Sequence, residues 1–127
     1  MNIGWQFDNT YSNLSNAFKE EIKPIPVDNP DLVILNKALA SELDLDFSKI
    51  DKGELSKIFS GNLLPAGSNS IAQAYAGHQF GHFTMLGDGR AVLLGEHVNK
   101  ENKKFDIQFK GSGKTSFSRN GDGRAVL

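Results

Sequence analysis

An α+β fold is the architecture this sequence predicts: an antiparallel sheet preceded by N-terminal helices. Three observations lead there. Apolar residues alternate at Val92 and Leu94 and again at Phe105, Ile107 and Phe109, the period-2 pattern of half-buried strands. Aspartate–glycine pairs at Asp88–Gly89 and Asp122–Gly123 are hairpin signals, because a type I′ turn needs positive φ at both central residues. Upstream, Leu35, Leu39 and Leu43 recur at helical spacing, and Asp51 with Glu54 has the form of a capping box.

Taken in order, residues 1–30 are polar and punctuated by Pro24, Pro26 and Pro30. Phe18, Ile22 and Ile25 allow one short strand there, and Pro24 marks it as an edge. The apolar run from Leu32 to Leu35 predicts a strand, followed by a helix over Asn36 to Leu43. A second helix, capped by Asp51, buries Leu55, Ile58 and Phe59 and stops at Gly61. GNLLPAGSNS is a loop. In SIAQAYAGHQFGHF, Ile71, Ala74, Tyr75 and His78 share a helical face, so a short helix opening into a glycine turn is expected. The strands follow. The heptapeptide GDGRAVL occurs at Gly87–Leu93 and again at Gly121–Leu127, and the same turn-then-strand solution is expected twice. The second copy coincides with the end of the chain, so the 127 residues are expected to be an N-terminal fragment of a longer protein.

Composition narrows the function classes. A hydrophobic content of 39% predicts a modest core. A net charge of −1 speaks against a general binder of nucleic acid or membranes, which carry a basic excess. The absence of cysteine excludes disulfides, thiolate metal sites and cysteine nucleophiles. There is no bilayer-length apolar run, and MNIGWQFDNT lacks the basic start and apolar core of a signal peptide. A soluble, cytoplasmic protein is expected.

The polar chemistry gathers at the turns, where Arg90, Lys110, Lys114, Arg119 and Arg124 lie close to glycines. Such turns let backbone amides and cations approach a polyphosphate together. GSGKT at Gly111–Thr115 ends like a P-loop, whose lysine reaches the β and γ phosphates. Gln108 stands where that pattern needs its first glycine, and the following SFSRNGDG does not look like a helix. His78 and His82 have the i, i+4 spacing of metal ligands, but HQFGH lacks a glutamate and Gly81 interrupts the helix. Hydrogen-bonded histidines near a packed turn are the simpler expectation. Asp88 and Asp122 read as turn-formers, Glu96 as a solvated strand residue.

YAGHQFG (Tyr75–Gly81), LGDGRAVLLGE (Leu86–Glu96) and DIQFKGSGKTSFSRNGDGRAVL (Asp106–Leu127) closely resemble the selenoprotein O family, also called YdiU. FDNTYSNL and LLPAG fit it too, so the resemblance runs from about Phe7 to Leu127. It implies a protein-kinase-like fold, of which this chain would be most of the N-lobe. It implies transfer of AMP from ATP to Ser, Thr or Tyr hydroxyls of proteins, with ATP bound flipped relative to ordinary kinases. Carried over residue by residue, Gly87, Gly89 and Arg90 match the family's glycine-rich nucleotide contacts. Lys110 matches the strand lysine, and Asp122 and Gly123 match the second nucleotide-contacting turn. The magnesium ligands and the catalytic aspartate are implied beyond Leu127, so no catalytic or metal residue is assigned within the chain and the fragment alone is expected to be inactive. Phe117 departs from the family's frequent tyrosine. A non-catalytic nucleotide-binding module and a P-loop NTPase using GSGKT stand as alternatives.

Overall fold

A computed structural model describes residues 2–125 of the chain. The Val126–Leu127 end of the second GDGRAVL lies outside the described residues, and so does the expected strand end there. The elements are a 3-10 turn at Tyr11–Asn13, β1 (Lys19–Glu21), α1 (Lys37–Glu42), α2 (Lys52–Phe59), β2 (Ile71–Gln79), β3 (His82–Gly87), β4 (Ala91–Val98) and β5 (Lys104–Lys110). The strands form a five-stranded antiparallel sheet in the order β1-β2-β4-β5, with β3 also on β2. This is the expected α+β class, and it is consistent with a kinase-like N-lobe.

The helices form where their caps are written. Asn36 accepts from the Leu39 N–H at 3.0 Å and Asp51 from the Glu54 N–H at 2.8 Å. A cap of this kind is worth about 1 kcal/mol. Both helices lie over one face of the β4–β5 ribbon, where Leu43, Leu45, Phe47 and Leu55 pack with Trp5, Phe105 and Ile107. Fully burying one such aliphatic side chain stabilises by about 1.5–3 kcal/mol. His97 is buried among them. Its Nδ1 accepts from the Gln6 N–H at 3.1 Å, so Nε2 carries the proton and donates to the Leu43 carbonyl at 2.6 Å.

Four expectations are corrected. Leu32–Leu35 is not a strand: Leu32 and Leu35 pack on the core while Val33 and Ile34 face solvent, and no strand among the described residues pairs with the run. Residues 71–79 are a strand, not a helix. Pairing overrides the helical spacing of Ile71, Ala74 and Tyr75, because β2 gains partners on both edges, β1 on one side and β3 and β4 on the other. The hairpin that follows turns at Phe80 (φ 54°) and Gly81 (φ 77°), both left-handed as a type I′ turn requires. His78 and His82 therefore sit on opposite arms of that hairpin, paired with Phe83 and Gln79, and the helical ligand spacing does not exist. Glu96 is buried, not solvated. Its carboxylate accepts from the Tyr11 N–H at 2.8 Å and from the Thr10 hydroxyl, tying the N-terminal strap across β4.

The fourth correction concerns Asp88–Gly89. It is not a hairpin turn, because β3 and β4 run along the same partner. β3 pairs with β2 at Ala74↔Gly87, and β4 pairs with β2 at Ile71↔Leu93. The intervening Asp88–Gly89–Arg90 bulges out of this edge, and Gly89 is not among the left-handed residues. The two copies of GDGR thus do not share one solution.

Candidate functional site

The bulge is fastened on two sides. Toward β2, the Asp88 N–H donates to the Gln73 carbonyl at 2.9 Å and the Gln73 N–H donates to Asp88 Oδ2 at 2.9 Å. Burial pushes the Asp88 carboxyl above its ordinary value, partly offset by that Gln73 hydrogen bond. On the other side, the Thr115 hydroxyl donates to the Asp88 carbonyl and the Ser118 hydroxyl to the Gly89 carbonyl. Thr115 and Ser118 also brace each other, the Thr115 N–H donating to Ser118 Oγ at 2.8 Å. In a trans peptide the carbonyl and the next N–H point opposite ways. Tying back these two carbonyls turns the Gly89 and Arg90 N–H groups away from the clasp.

The glycines of the bulge serve close packing. A Cβ at Gly87 would overlap the Phe117 ring, and one at Gly89 would lie 2.8 Å from the Phe117 carbonyl oxygen. GSGKT therefore does not cradle phosphate as a P-loop does. No helix follows it among the described residues, Thr115 is buried with its hydroxyl spent on Asp88, and Lys114 is exposed.

The second GDGR folds back against this clasp. Gly123 has φ 71°, its carbonyl accepts from the Gly113 N–H at 3.2 Å, and a Cβ there would overlap the Gly113 carbonyl. Asp122 is exposed, its Oδ1 accepting from the Arg124 N–H at 2.9 Å.

Five of the residues expected from the sequence, Gly87, Gly89, Arg90, Asp122 and Gly123, line one cleft of about 470 Å³. Lys110 lies outside it, on an adjoining concavity of about 300 Å³ with Ser112 and Phe59. Backbone links the two: Lys110 pairs with Ala91, and the Gly111 N–H donates to the Arg90 carbonyl at 2.6 Å. Two further side chains complete it: Arg124, which the sequence placed among the cations at the turns without assigning it a contact, and Tyr75, for which it gave no role in the site. Arg124 lines both hollows, and its Nη1 donates to the Gly111 carbonyl at 3.3 Å. The literal repeat was the signal for it, since Arg124 is the counterpart of Arg90. Tyr75 lines the first cleft and a wider one beside it, and only the strand register could have placed it there.

The donor set suits an anion: two arginines, a lysine, glycine-lined backbone, and the buried Ser112 hydroxyl, which has no hydrogen-bond partner among the described residues. It does not suit a metal ion. Asp88 and Asp122 already accept backbone N–H groups, and among the described residues no three His, Cys, Asp or Glu side chains cluster.

Comparison with known proteins adds independent findings. The family model described as protein adenylyltransferase SelO matches residues 2–127. Over 127 residues, all of this chain, the protein is 73% identical to the protein nucleotidyltransferase YdiU of Pelagibacter ubique, covering 26% of that relative. The namesake of Nitrosococcus oceani is 59% identical over 98% of this chain and 25% of its own length. That of Anoxybacillus flavithermus is 54% identical over 100% of this chain and 26% of its own. The chain thus spans about a quarter of the length of these curated relatives.

Proposed function

The chain belongs to the protein adenylyltransferase SelO family, and from that premise we propose that it is the nucleotide-holding lobe of a longer kinase-like enzyme. That enzyme transfers AMP from ATP to Ser, Thr or Tyr hydroxyls of proteins. The observation that carries this is the convergence of both GDGR segments on one cleft, with the Lys110 strand end beside it.

In AMP transfer the acceptor hydroxyl oxygen forms a bond to the α-phosphorus, and the bond from that phosphorus to the α–β bridging oxygen breaks. Pyrophosphate leaves with the electron pair, and the hydroxyl proton passes to a base. Charge builds on the leaving pyrophosphate, and cations and N–H donors fixed at that point lower the barrier. Arg90, Arg124 and Lys110 hold phosphate oxygens, and the Gly89 and Arg90 N–H groups add donors to them. The Asp122 carboxylate and the Gly123 backbone contact the nucleotide from the second turn. Magnesium, which would offset phosphate charge when bound, finds no ligand set among the described residues, and its ligands and the base come from elsewhere in the enzyme. The 127 residues alone bind nucleotide and transfer nothing. The setting is the cytoplasm, with proteins as acceptors and no nucleic acid or membrane partner. No helix among the described residues is long and apolar enough to cross a membrane.

Lys110 and Lys114 separate this proposal from a P-loop. A charge-assisted contact to phosphate is worth about 1.5–3 kcal/mol, an exposed charge about 0–1. In the whole enzyme, Lys110→Ala should weaken ATP binding or AMP transfer by at least roughly tenfold, and Lys114→Ala only by a few-fold. Circular dichroism establishes first that both variants fold. A larger loss at Lys114, with Lys110→Ala near wild type, refutes the assignment.

A further inference from the structure

The run Leu32–Leu35, four apolar residues in a row, is only half covered by the fold. Leu32 and Leu35 pack on the core, but Val33 is 83% exposed and Ile34 84%. No backbone N–H or C=O from Leu32 to Leu35 has a hydrogen-bond partner among the described residues. Beside the run lies a hollow of about 460 Å³, lined by Trp5, Leu32, Ile34, Leu39, Phe59 and Phe109 among others. Only Asn36, Asp106 and Gln108 interrupt its apolar lining, and Asn36 is spent capping α1. Run and hollow meet at Leu32, Ile34 and Leu35, so they form one apolar surface. It shares no residue with the cleft between the two GDGR segments.

Strand alternation sets the side on which this surface lies. Along β5, Phe105, Ile107 and Phe109 alternate with Asp106, Gln108 and Lys110, so the two sets face opposite sides of the sheet. Phe105 and Ile107 pack with the helix-side core, and Phe109 lines the hollow. Lys110 therefore leaves the sheet on the other face. Whatever completes the nucleotide cleft beside Lys110 does not by that contact cover Val33 and Ile34. Keeping two neighbouring aliphatic side chains in water forfeits the gain of burying them. With unpaired backbone between them they are a template for association.

We propose that this surface is a docking site for the same polypeptide: an apolar segment from the part of the longer protein that these 127 residues do not include. The chain covers 26% of its Pelagibacter relative, which leaves about three quarters of such a protein to supply the segment. A covalently attached segment meets the surface at an effective concentration that a separate partner reaches only when abundant. The lining holds no lysine or arginine, which suits an apolar segment and not a nucleotide, a nucleic acid or an acidic peptide. The unpaired N–H and C=O groups of the run offer main-chain hydrogen bonds to a segment laid alongside it. The rest of the enzyme then grips this lobe on both faces, at the cleft beside Lys110 and at the groove behind it. The docking stands or falls independently of the nucleotide function.

The test places a photoreactive benzoylphenylalanine at position 34 of the whole enzyme and maps the products of irradiation by mass spectrometry. The expected product is a crosslink within one polypeptide, from position 34 to a peptide outside these 127 residues. A product of twice the mass, joining position 34 to a second copy, overturns the proposal. Reaction confined to these 127 residues, or to solvent, overturns it as well. Ile34→Ser supplies a second readout that does not depend on the probe. If the rest of the chain covers Ile34, this variant of the whole enzyme should unfold with an equilibrium constant at least about tenfold larger than wild type. Unchanged stability in Ile34→Ser means that the side chain stays in water, and refutes the docking.

Discussion

The two GDGR segments have identical sequences, yet the fold uses them differently. The first is a bulge on the edge of β2, with its aspartate half-buried and its carboxylate bonded to the Gln73 N–H. The second is a left-handed turn at Gly123 whose aspartate stays exposed and, among the described residues, bonds only to its own Arg124 N–H. Glycine is needed in both for opposite reasons. At Gly87 it admits the Phe117 ring to an ordinary backbone, while at Gly123 it permits positive φ with another backbone pressed against it. The lesson is that aspartate–glycine is locally permissive, and the partner decides. Where β2 offers a free edge the segment becomes a bulge, and where the clasp offers only Gly113 it becomes a turn.

Alanine replacements break this comparison most sharply. Gly123→Ala must fit a side chain at φ 71° against immovable backbone, and should cost about 3 kcal/mol or more in urea unfolding. Gly87→Ala displaces a ring that can swing, and should cost about 1–3 kcal/mol. Gly121→Ala, at an exposed position outside the left-handed region, meets the Ser118 carbonyl oxygen at 3.1 Å and should cost about 1 kcal/mol, well under Gly123→Ala. A Gly121→Ala cost matching that of Gly123→Ala would mean the second segment is not held as described.

The smallest effect sharpens the contrast between the aspartates. A carboxyl raised by burial favours the fold while protonated. That contribution is complete below the ordinary aspartate value of about 3.9 and is lost as pH rises through the raised value of the folded state. Asp88→Asn keeps an acceptor for Gln73 and removes the titration. Its unfolding free energy relative to wild type should therefore improve as pH rises from about 3.9 through the raised value and level off above it. A difference that is flat with pH would show that Asp88 is not held in a desolvated place.

What was legible in the sequence was local. Asn36 and Asp51 write their own caps, and the alternation through Phe105, Ile107 and Phe109 needs only a core on one side. What failed was decided at long range. The stretch from Ile71 to Gln79 carries a helical spacing, and its pairing with β1, β3 and β4 makes it a strand. Glu96 reads as a surface residue until Thr10 and Tyr11 arrive from the other end of the chain. The repeat and the family resemblance marked the glycines and Arg90, Asp122 and Gly123 that the fold brings to one cleft. Tyr75 was hidden because its place depends on the register of a strand taken for a helix. Arg124 stands among the turn cations in the sequence, but only the fold brings it to the cleft beside its counterpart Arg90.

The division of labour between the two segments is tested most directly by pairing Asp88→Ala with Asp122→Ala in the whole enzyme, measuring unfolding free energy and ATP affinity for each. Asp88→Ala orphans the Gln73 N–H and should lose about 1–3 kcal/mol of stability. Asp122→Ala, at an exposed position bonded within its own turn, should unfold within about 0.5 kcal/mol of wild type while ATP affinity falls by roughly tenfold. Asp122→Ala losing as much stability as Asp88→Ala, with ATP affinity intact, would contradict the account.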